Sequence, residues 1–302
     1  MKAESKKAKL LQFMAIVENN YPYLVSNLKN IMSTGDKRIY ELSERIITLY
    51  SEVANGGVKE LANSFAWLVM ETNRLQLEYE LSGVYSSTSF SEAKEKVYDK
   101  TEIMKRYMLA LVVTQFAWKN HFDLWCFYCD KFLQLITPKR ILEIAPGHGL
   151  FGHEALIQFP QAELIGIDIS DASVILSQTL AKMQSIRNAK YKIKDIFTVE
   201  KSNYGLFDTI ICGELLEHIP EPIRLFKKIY ELMQPNGFVY ITAAINAAAT
   251  DHIYIFRHQD EVKQLAVTAG FLLENSLCTD APRIRSDSRV CSQTIAMILK
   301  RS

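Results

Sequence analysis

The residues best suited to chemistry surround a glycine-rich turn. Gly147-x-Gly149-x-x-Gly152 follows the apolar run 140–145, and Asp168 comes 21 residues after Gly147, at the end of a second apolar run. Glycines after a strand let backbone amides approach a ligand, and a carboxylate ending the next strand can accept hydrogen bonds from ribose hydroxyls. The pattern predicts a nucleoside-containing ligand. By itself it does not separate a nicotinamide-dependent dehydrogenase from other nucleoside binders.

A second group combines two carboxylates and an imidazole. Glu214, Glu217 and His218 stand at i, i+3 and i+4, so one helical face would present all three. Such a set can bind a divalent metal ion. No fourth ligand can be assigned, and we therefore expect no metal. Cys126-x-x-Cys129 is a single pair, which does not support a zinc site either.

A histidine near the predicted fifth strand is the candidate base. His252 follows that strand, with Asp251 able to orient it or raise its pKa and Tyr254 able to contact a substrate. A neutral imidazole can take a proton from a hydroxyl or an amine. The equal alternative is a loop histidine that only hydrogen-bonds the backbone. His121, His153 and His258 have weaker claims, and His148 belongs to the glycine turn.

Glycine and proline divide the chain into two halves at residue 137. Four glycines and one proline come before Thr137, whereas eight glycines and seven prolines follow from there on. Few helix breakers predict a helical first half of four or five helices, one of which runs from Ser89 to Leu135. The second half alternates apolar strands with helices, which predicts an α/β fold with an open, largely parallel sheet. The seven predicted strands are 140–145, 163–169, 191–193, 207–212, 238–243, 271–277 and 294–299.

The motifs of the second half keep a familiar order. Glu143 on the first strand, the Gly147-x-Gly149 turn, Asp168, Asp195 and the run Glu214 to Pro222 occur in sequence, before the turn 234–237. This order resembles the class I S-adenosylmethionine-dependent methyltransferases, notably those of ubiquinone and menaquinone biosynthesis. Ala145 departs from the family's usual glycine, and we expect a slightly tighter turn there without loss of binding. The resemblance implies a Rossmann-like seven-stranded sheet at 137–302, preceded by an all-α substrate-binding or lid domain at 1–136.

The resemblance also implies roles for particular residues. Asp168 would take both ribose hydroxyls, Asp195 would meet the adenine amino group, and Ile169 and Ile196 would sandwich the adenine. Glu143 would organise the amino-acid part of S-adenosylmethionine. The full set expected to bind the cofactor is Glu143, Ala145, Gly147, His148, Gly149, Asp168, Ile169, Asp195, Ile196 and Glu214, with His252 and Tyr254 as the catalytic pair.

The function expected from these features is methylation of a small molecule, with O-methylation of a secondary metabolite as the first choice. Methyl transfer to nitrogen or carbon stays open. One rival is a metal-dependent RNA 2′-O-methyltransferase using the Glu214–His218 face. Another is a non-catalytic scaffold that binds S-adenosylmethionine, and a nicotinamide enzyme comes last.

Composition limits the partners. The 302 residues carry 35 basic and 34 acidic side chains, whereas a nucleic-acid binder usually has a clear basic excess. Five cysteines, an odd number, indicate a reducing compartment. The segment 1–20 predicts an amphipathic helix, not a leader, and no apolar run is long enough to span a membrane. We therefore expect a cytoplasmic protein that binds neither nucleic acid nor membrane and that dimerises through its helical half.

Overall fold

The first half of the chain is helical, as its scarcity of glycine and proline predicts. A computed structural model describes residues 2–282 and 290–302. Two π-helical turns, Lys94–Tyr98 and Tyr128–Phe132, interrupt the helices. The helices are α1 (Lys2–Asn20), α2 (Pro22–Met32), α3 (Lys37–Tyr50), α4 (Gly57–Ser82), α5 (Phe90–Ala93), α6 (Thr101–Ala117), α7 (Lys119–Phe127) and α8 (Leu133–Leu135). None of the described helices is long and apolar enough to cross a lipid bilayer.

Local signals set some helix ends but not all. Gly83 ends α4 in the left-handed region (φ 77), and the Ser89 hydroxyl caps α5 by accepting from the amide of Glu92. The prediction of one helical segment from Ser89 to Leu135 is wrong. Trp118 has extended backbone (φ −114, ψ 128) and separates α6 from α7. Neither glycine nor proline stands at this break, so the sequence gives no warning of it.

The second half forms the predicted seven-stranded sheet. Its order is β3-β2-β1-β4-β5-β7-β6, in which β7 runs antiparallel to both neighbours and the other pairs are parallel. The strands are β1 (Arg140–Ile144), β2 (Glu163–Asp168), β3 (Ala189–Ile193), β4 (Phe207–Cys212), β5 (Met233–Ile245), β6 (Phe271–Asp280) and β7 (Gln293–Arg301). The helices between them are α9 (Leu150–Gln158), α10 (Asp171–Met183), α11 (Lys201–Tyr204), α12 (Pro222–Leu232) and α13 (Gln259–Thr268). β5 begins earlier than predicted, because the turn at 234–237 lies inside an irregular stretch of its pairing with β4.

The two faces of the sheet belong to two different hydrophobic cores. In β1, Ile141 packs into one core and Leu142 into the other, as the alternation of side chains along a strand requires. Tyr240 and Val239 divide in the same way on β5. The core that contains Ile141 and Tyr240 also contains the buried side chains of α1, α3 and α6. The helical half therefore covers one face of the sheet.

This core is continuous across residue 137, where the sequence pattern changes. The rings of Tyr128 and Tyr240 meet edge to face, 4.9 Å apart, and the Tyr240 hydroxyl donates to the carbonyl of Leu124 at 3.1 Å. On α3, the buried Tyr50 hydroxyl donates to the His148 carbonyl at 2.7 Å, which ties the helical half to the glycine turn. The division into units at 1–136 and 137–302 remains a prediction from sequence pattern.

Candidate functional site

The glycine turn between β1 and α9 holds its backbone in the left-handed region. Ala145, Gly147 and Gly149 have φ values of 52, 53 and 74. A Cβ at Gly147 would lie 2.9 Å from Sδ of Met108, so α6 packs directly on the turn. For an alanine this backbone costs about 1–2 kcal/mol, a penalty that glycine avoids. Ala145 therefore has a strained backbone. The sequence predicted only a slightly tighter turn at this position.

Glu143 is a buried acid behind this turn. Its Oε1 accepts a hydrogen bond from the amide of Gly152 at 2.9 Å, and Oε2 has no partner among the described residues. A Cβ at Gly152 would fall 2.2 Å from Oε2, so the third glycine of the motif makes room for this carboxyl group. Burial raises the pKa of Glu143 to about 8. The alternative of a solvated strand end does not apply to it.

Asp168 closes β2 beside the same turn. It is only 8% exposed, and its carboxylate accepts from the amides of Ser170 (2.9 Å) and Gly147 (3.3 Å). Burial raises the pKa of Asp168 to about 6, against the lowering effect of these hydrogen bonds. A carboxylate held by backbone amides keeps lone pairs free for hydroxyl donors. This is the arrangement that ribose recognition requires.

The next group lies just after β2 and β3. Asp195 caps the turn 196–198, where its Oδ1 accepts from the amide of Phe197 at 2.9 Å. Ile169 is 37% exposed and Ile196 is buried, and all three predicted residues of this region line one cavity with Asp168. The structure therefore brings Asp168, Ile169, Asp195 and Ile196 together, as predicted.

One cavity of about 800 Å³ joins these residues to the helical half. Its floor is formed on the side of the glycine turn, where β1, β4 and β5 end and the antiparallel β7 begins. The floor residues are Ile144, Ile211, Thr242, Ala244 and Thr294. Helices α4, α6 and α7 supply the facing wall, which is largely apolar. Its members include Leu68, Val69, Gln76, Met104, Tyr107, Met108, Leu111, Gln115, Asn120, His121 and Leu124, with Trp118 from the break between α6 and α7.

Most of the predicted cofactor residues reach this cavity. Gly149 is the exception, since a Cβ there would meet His153 and Ser177 at 2.9 Å, away from the cavity. Its part is to permit the turn. His148 lines the cavity with its ring nitrogen Nδ1 accepting from the amide of Leu150 at 3.2 Å. Burial lowers the pKa of His148 to about 3, so this ring is neutral at pH 7.

His252 lies at the cavity and has a defined tautomer. Its Nδ1 is 2.7 Å from the carbonyl of Ala247, and a carbonyl only accepts, so Nδ1 carries the proton. The Nε2 lone pair is then available for a proton, at 3.9 Å from Oε1 of Glu217. Burial lowers the pKa of His252 to about 4, which keeps the ring neutral at pH 7.

Burial has the largest effect on the pKa of His252, and Asp251 acts against it by raising that pKa, as predicted. The prediction that Asp251 orients His252 is wrong. Asp251 instead faces His218, whose Nδ1 lies 3.0 Å from the Asp251 carbonyl and 3.5 Å from its carboxylate. Two hydroxyl groups of the helical half donate to the same carboxylate, from Tyr98 at 3.1 Å and Tyr107 at 3.2 Å. Tyr98 also contacts Nδ1 of His218 at 2.9 Å. Because the loop after β5 turns at residue 250, consecutive side chains there find different partners.

Tyr254 does not line the cavity, so its predicted contact with a substrate is wrong. Its ring packs against Phe256 at 4.7 Å, in the core on the other face of the sheet. Its amide donates to the Glu217 carbonyl at 2.9 Å. Tyr254 therefore packs in that core and holds the loop through its backbone amide.

The metal-ligand set predicted on one helical face is also wrong in its geometry. Glu214 has a left-handed backbone (φ 47), and only residues 216–218 form a short 3₁₀ turn. Within the described parts of the chain, the group with ligand atoms inside 4.8 Å of one another is Glu217, His218 and His252. Glu217 is fully buried, and neither of its carboxylate oxygens has a hydrogen-bond partner in the described part of the chain. Glu214 lies at the cavity, where burial raises its pKa to about 7.

Sequence reasoning left open which aromatic residues of the helical half line a pocket. Seven aromatic residues between positions 107 and 128 are candidates, and two of them, Tyr107 and Trp118, line the cavity. The other five pack in the core or against it: Phe116, Phe122, Trp125, Phe127 and Tyr128. Tyr98 and Gln76 were missed, the latter bridging the Asn246 carbonyl and the Ala248 amide. Only the general abundance of aromatic residues signalled such a wall.

Comparison with known proteins assigns a family to the half of the chain that holds the cofactor motifs. A family model described as a methyltransferase domain matches residues 137–277. These residues form a class I S-adenosylmethionine-dependent methyltransferase domain. Part of the chain is similar to ubiquinone biosynthesis O-methyltransferases. The protein from Coxiella burnetii is 33% identical over 116 residues, which cover 38% of this chain and 47% of that protein. The one from Acinetobacter baumannii is 24% identical over 107 residues, covering 35% and 44%.

The chain thus spans less than half the length of these curated relatives. A solved structure supports the architecture beyond the methyltransferase domain. An O-methyltransferase family protein from Burkholderia thailandensis superposes with a TM-score of 0.56 at 12% identity, over 82% of this chain and 73% of that one. At this identity the likeness concerns the fold. It extends into the helical half, because 82% of the chain exceeds the methyltransferase domain alone.

Proposed function

We propose that the protein transfers the sulfonium methyl group of S-adenosylmethionine to a hydroxyl oxygen of a small, mainly apolar molecule. The observation that carries this proposal is the single cavity shared by the buried acids of β1 and β2 and by the imidazoles after β4 and β5. In α/β sheets, ligands bind at the carboxyl ends of the strands, where this cavity lies. Its volume of about 800 Å³ is in the range of natural ligand sites.

The cofactor would lie over β3, β2 and β1. Asp168 would accept from both ribose hydroxyls, with Ile196 on the adenine face and Asp195 at its amino group. Glu143 would meet the positively charged amino group of the methionine part, directly or through water. That partner would satisfy the Oε2 atom that has none in the protein.

The acceptor would lie between the cofactor and the helical wall. Methyl transfer is an in-line displacement, so the main contribution of the protein is to hold the nucleophile behind the methyl group. A hydroxyl must lose its proton as the new bond forms, and Nε2 of His252 is a neutral acceptor for it. Tyr98 and Tyr107 hold Asp251, the neighbour of this base, from the helical half.

Two features favour oxygen over the other nucleophiles and small molecules over RNA. The proteins to which part of this chain is similar are named as O-methyltransferases. The helical half covers the acceptor end of the cavity with an apolar wall, which suits a compact organic molecule. An RNA strand would need basic side chains for its phosphates, and the chain carries a net charge of only +1.

The test combines binding with turnover. Calorimetry with S-adenosylhomocysteine measures the cofactor site, and transfer of a labelled methyl group to a panel of phenols, catechols, alcohols and amines measures activity. Asp168→Asn should lose cofactor affinity, whereas Asp171→Asn, an exposed acid at the start of α10, should not. Normal cofactor binding with no methylated product from any acceptor would favour the scaffold alternative. Products formed only from amines would overturn the assignment to oxygen.

A further inference from the structure

A polar pocket lies in the wall of the cavity, between α7 and β7. We name it the distal subsite and define it as Asn120 and His121 of α7 with Thr294 of β7. All three line the cavity and are buried. None belongs to the cofactor motifs or to the cluster around His252. The contacts of Asn120 and His121 show what kind of group would fit there.

Asn120 offers an unused acceptor. Its side chain is 1% exposed, and its Nδ2 donates to the Thr294 hydroxyl at 3.2 Å. Its Oδ1 has no hydrogen-bond partner among the described residues. A buried amide oxygen without a donor destabilises the fold, so such atoms normally have a partner from the protein, water or a ligand.

His121 offers a second unused acceptor beside the first. Its Nδ1 lies 2.7 Å from the Thr114 hydroxyl, whose own hydrogen is donated to the Leu111 carbonyl at 2.6 Å. With that hydrogen donated to Leu111, the hydroxyl oxygen accepts from Nδ1–H, in a closer contact than the 3.5 Å between Nδ1 and Nε2 of Gln115. This tautomer leaves a lone pair on Nε2 of His121. Burial lowers the pKa of His121 to about 4, so Nε2 stays unprotonated at pH 7. Among the described residues no hydrogen bond is made to Nε2.

The strand order gives the spacing between Thr294 and the residues that follow β4. Thr294 pairs with Ala244 of β5, and β5 pairs in turn with β4, after which Glu214 and His218 follow. Adjacent strands are 4.7–4.9 Å apart, so β7 lies about 10 Å from β4 across the sheet. Apolar side chains, including Leu111, Trp118 and Leu124, also line the cavity.

We propose that the distal subsite binds a hydrogen-bond donor on the acceptor molecule. The substrate is then an elongated, apolar molecule with its nucleophile at one end and a hydroxyl or N–H group at the other. This inference rests on the proposed function, because it assumes that the same cavity holds a methyl acceptor. It adds a recognition point that neither the cofactor motifs nor the family resemblance supplies.

Three rigid probes test the proposal without chemistry. The first is a biphenyl with a para hydroxyl on each ring, the second lacks one hydroxyl, and in the third that hydroxyl is a methyl ether, which accepts but does not donate. Binding is followed by tryptophan fluorescence with S-adenosylhomocysteine present, because Trp118 lines the cavity and its ring lies 5.0 Å from that of His121. We expect the first probe to bind at least about tenfold more tightly than the other two.

Variants locate the effect. Asn120→Leu should remove most of the preference for the dihydroxy probe, and Asn120→Asp, which keeps acceptor oxygens, should retain it. Asn73→Leu makes the same change elsewhere on the cavity wall and should leave the preference intact. His121→Phe is a second test should Asn120→Leu fail to fold, and every variant must bind S-adenosylhomocysteine as the wild type does.

The outcomes separate this proposal from the proposed function. Three outcomes would overturn the distal subsite. The wild type could bind all three probes equally, it could bind none of them, or the preference could survive both Asn120→Leu and His121→Phe. Methyl transfer to other acceptors would then still stand. Conversely, a protein that shows the preference but transfers no methyl group keeps the subsite and loses the proposed activity.

Discussion

Replacing Glu143 by glutamine should make the protein more stable at neutral pH. Burial raises the pKa of this acid from its ordinary value of 4.5 to about 8 in the folded protein. At pH 7 the unfolded chain carries Glu143 as a carboxylate, so folding must take up a proton. Glutamine needs no proton, and its amide oxygen can still accept from the Gly152 amide as Oε1 does at 2.9 Å.

The magnitude follows from the two pKa values. Because the folded pKa lies above the unfolded one, the folded state binds the proton more tightly, and wild-type stability falls as pH rises from 4.5 to 8. The fall is 1.36 kcal/mol per pH unit for one proton, which amounts to about 3 kcal/mol between pH 4.5 and pH 7. The variant lacks this contribution. Relative to wild type it should therefore gain about 3 kcal/mol over that interval.

Urea unfolding at a series of pH values between about 4.5 and 8 measures the difference. Asp168, Glu214 and Glu217 titrate in both proteins, so the difference between the two curves isolates Glu143. Glu163→Gln, an exposed acid at the start of β2, is the matched control and should stay within about 0.5 kcal/mol of wild type. If the free energy of unfolding depends on pH in the same way for wild type and Glu143→Gln, the reasoning is refuted, since the carboxyl group would then not be desolvated in the folded state.

Four further predictions concern the site. Asp168→Asn should weaken binding of S-adenosylhomocysteine by about 1.5–3 kcal/mol, and wild-type affinity should also fall below pH 6, where Asp168 takes up a proton; calorimetry at two pH values checks both. His252→Gln should lower turnover at least about 100-fold while cofactor affinity is unchanged, and a variant within a few-fold of wild type would make His252 structural. Dialysis against a chelator should leave turnover intact, because methyl transfer from the sulfonium needs only a positioned nucleophile and a base. If activity is lost and then recovers with magnesium or zinc, a metal belongs at Glu217, His218 and His252. Ala145→Gly should raise the free energy of unfolding by about 1 kcal/mol, as its backbone is left-handed, and an unchanged urea midpoint would contradict the strain.

The sheet and the cofactor end were predictable because their signals are local. Apolar runs of three to seven residues, each followed by a turn or a helix, gave all seven strands, and the acids at 143 and 168 lie at fixed offsets from the glycine turn. β-strand periodicity also determines which side chains share a face. Errors came where no local signal exists, as at Trp118, whose extended backbone breaks a helical pattern without glycine or proline.

The acceptor end was harder because its contacts join distant parts of the chain. The Tyr98 and Tyr107 hydroxyls reach Asp251 across 153 and 144 residues, and no spacing in the sequence encodes such a meeting. His252 was placed at the cavity correctly, whereas Tyr254, two residues later, faces the opposite core. Which of several neighbouring side chains enters a site depends on how the loop turns, and that in turn depends on the elements packed against it.

The continuous core between the helices and the sheet bears on how such a protein can be re-engineered. Exchanging residues 1–136 for the helical half of another methyltransferase would set a foreign surface against Ile141, Tyr240 and Ile298, which are all buried in the present core. Tyr240 would also lose the Leu124 carbonyl, and the glycine turn would lose the Tyr50 hydroxyl. A chimera made to alter acceptor choice therefore has to exchange the facing residues of the sheet together with the helices.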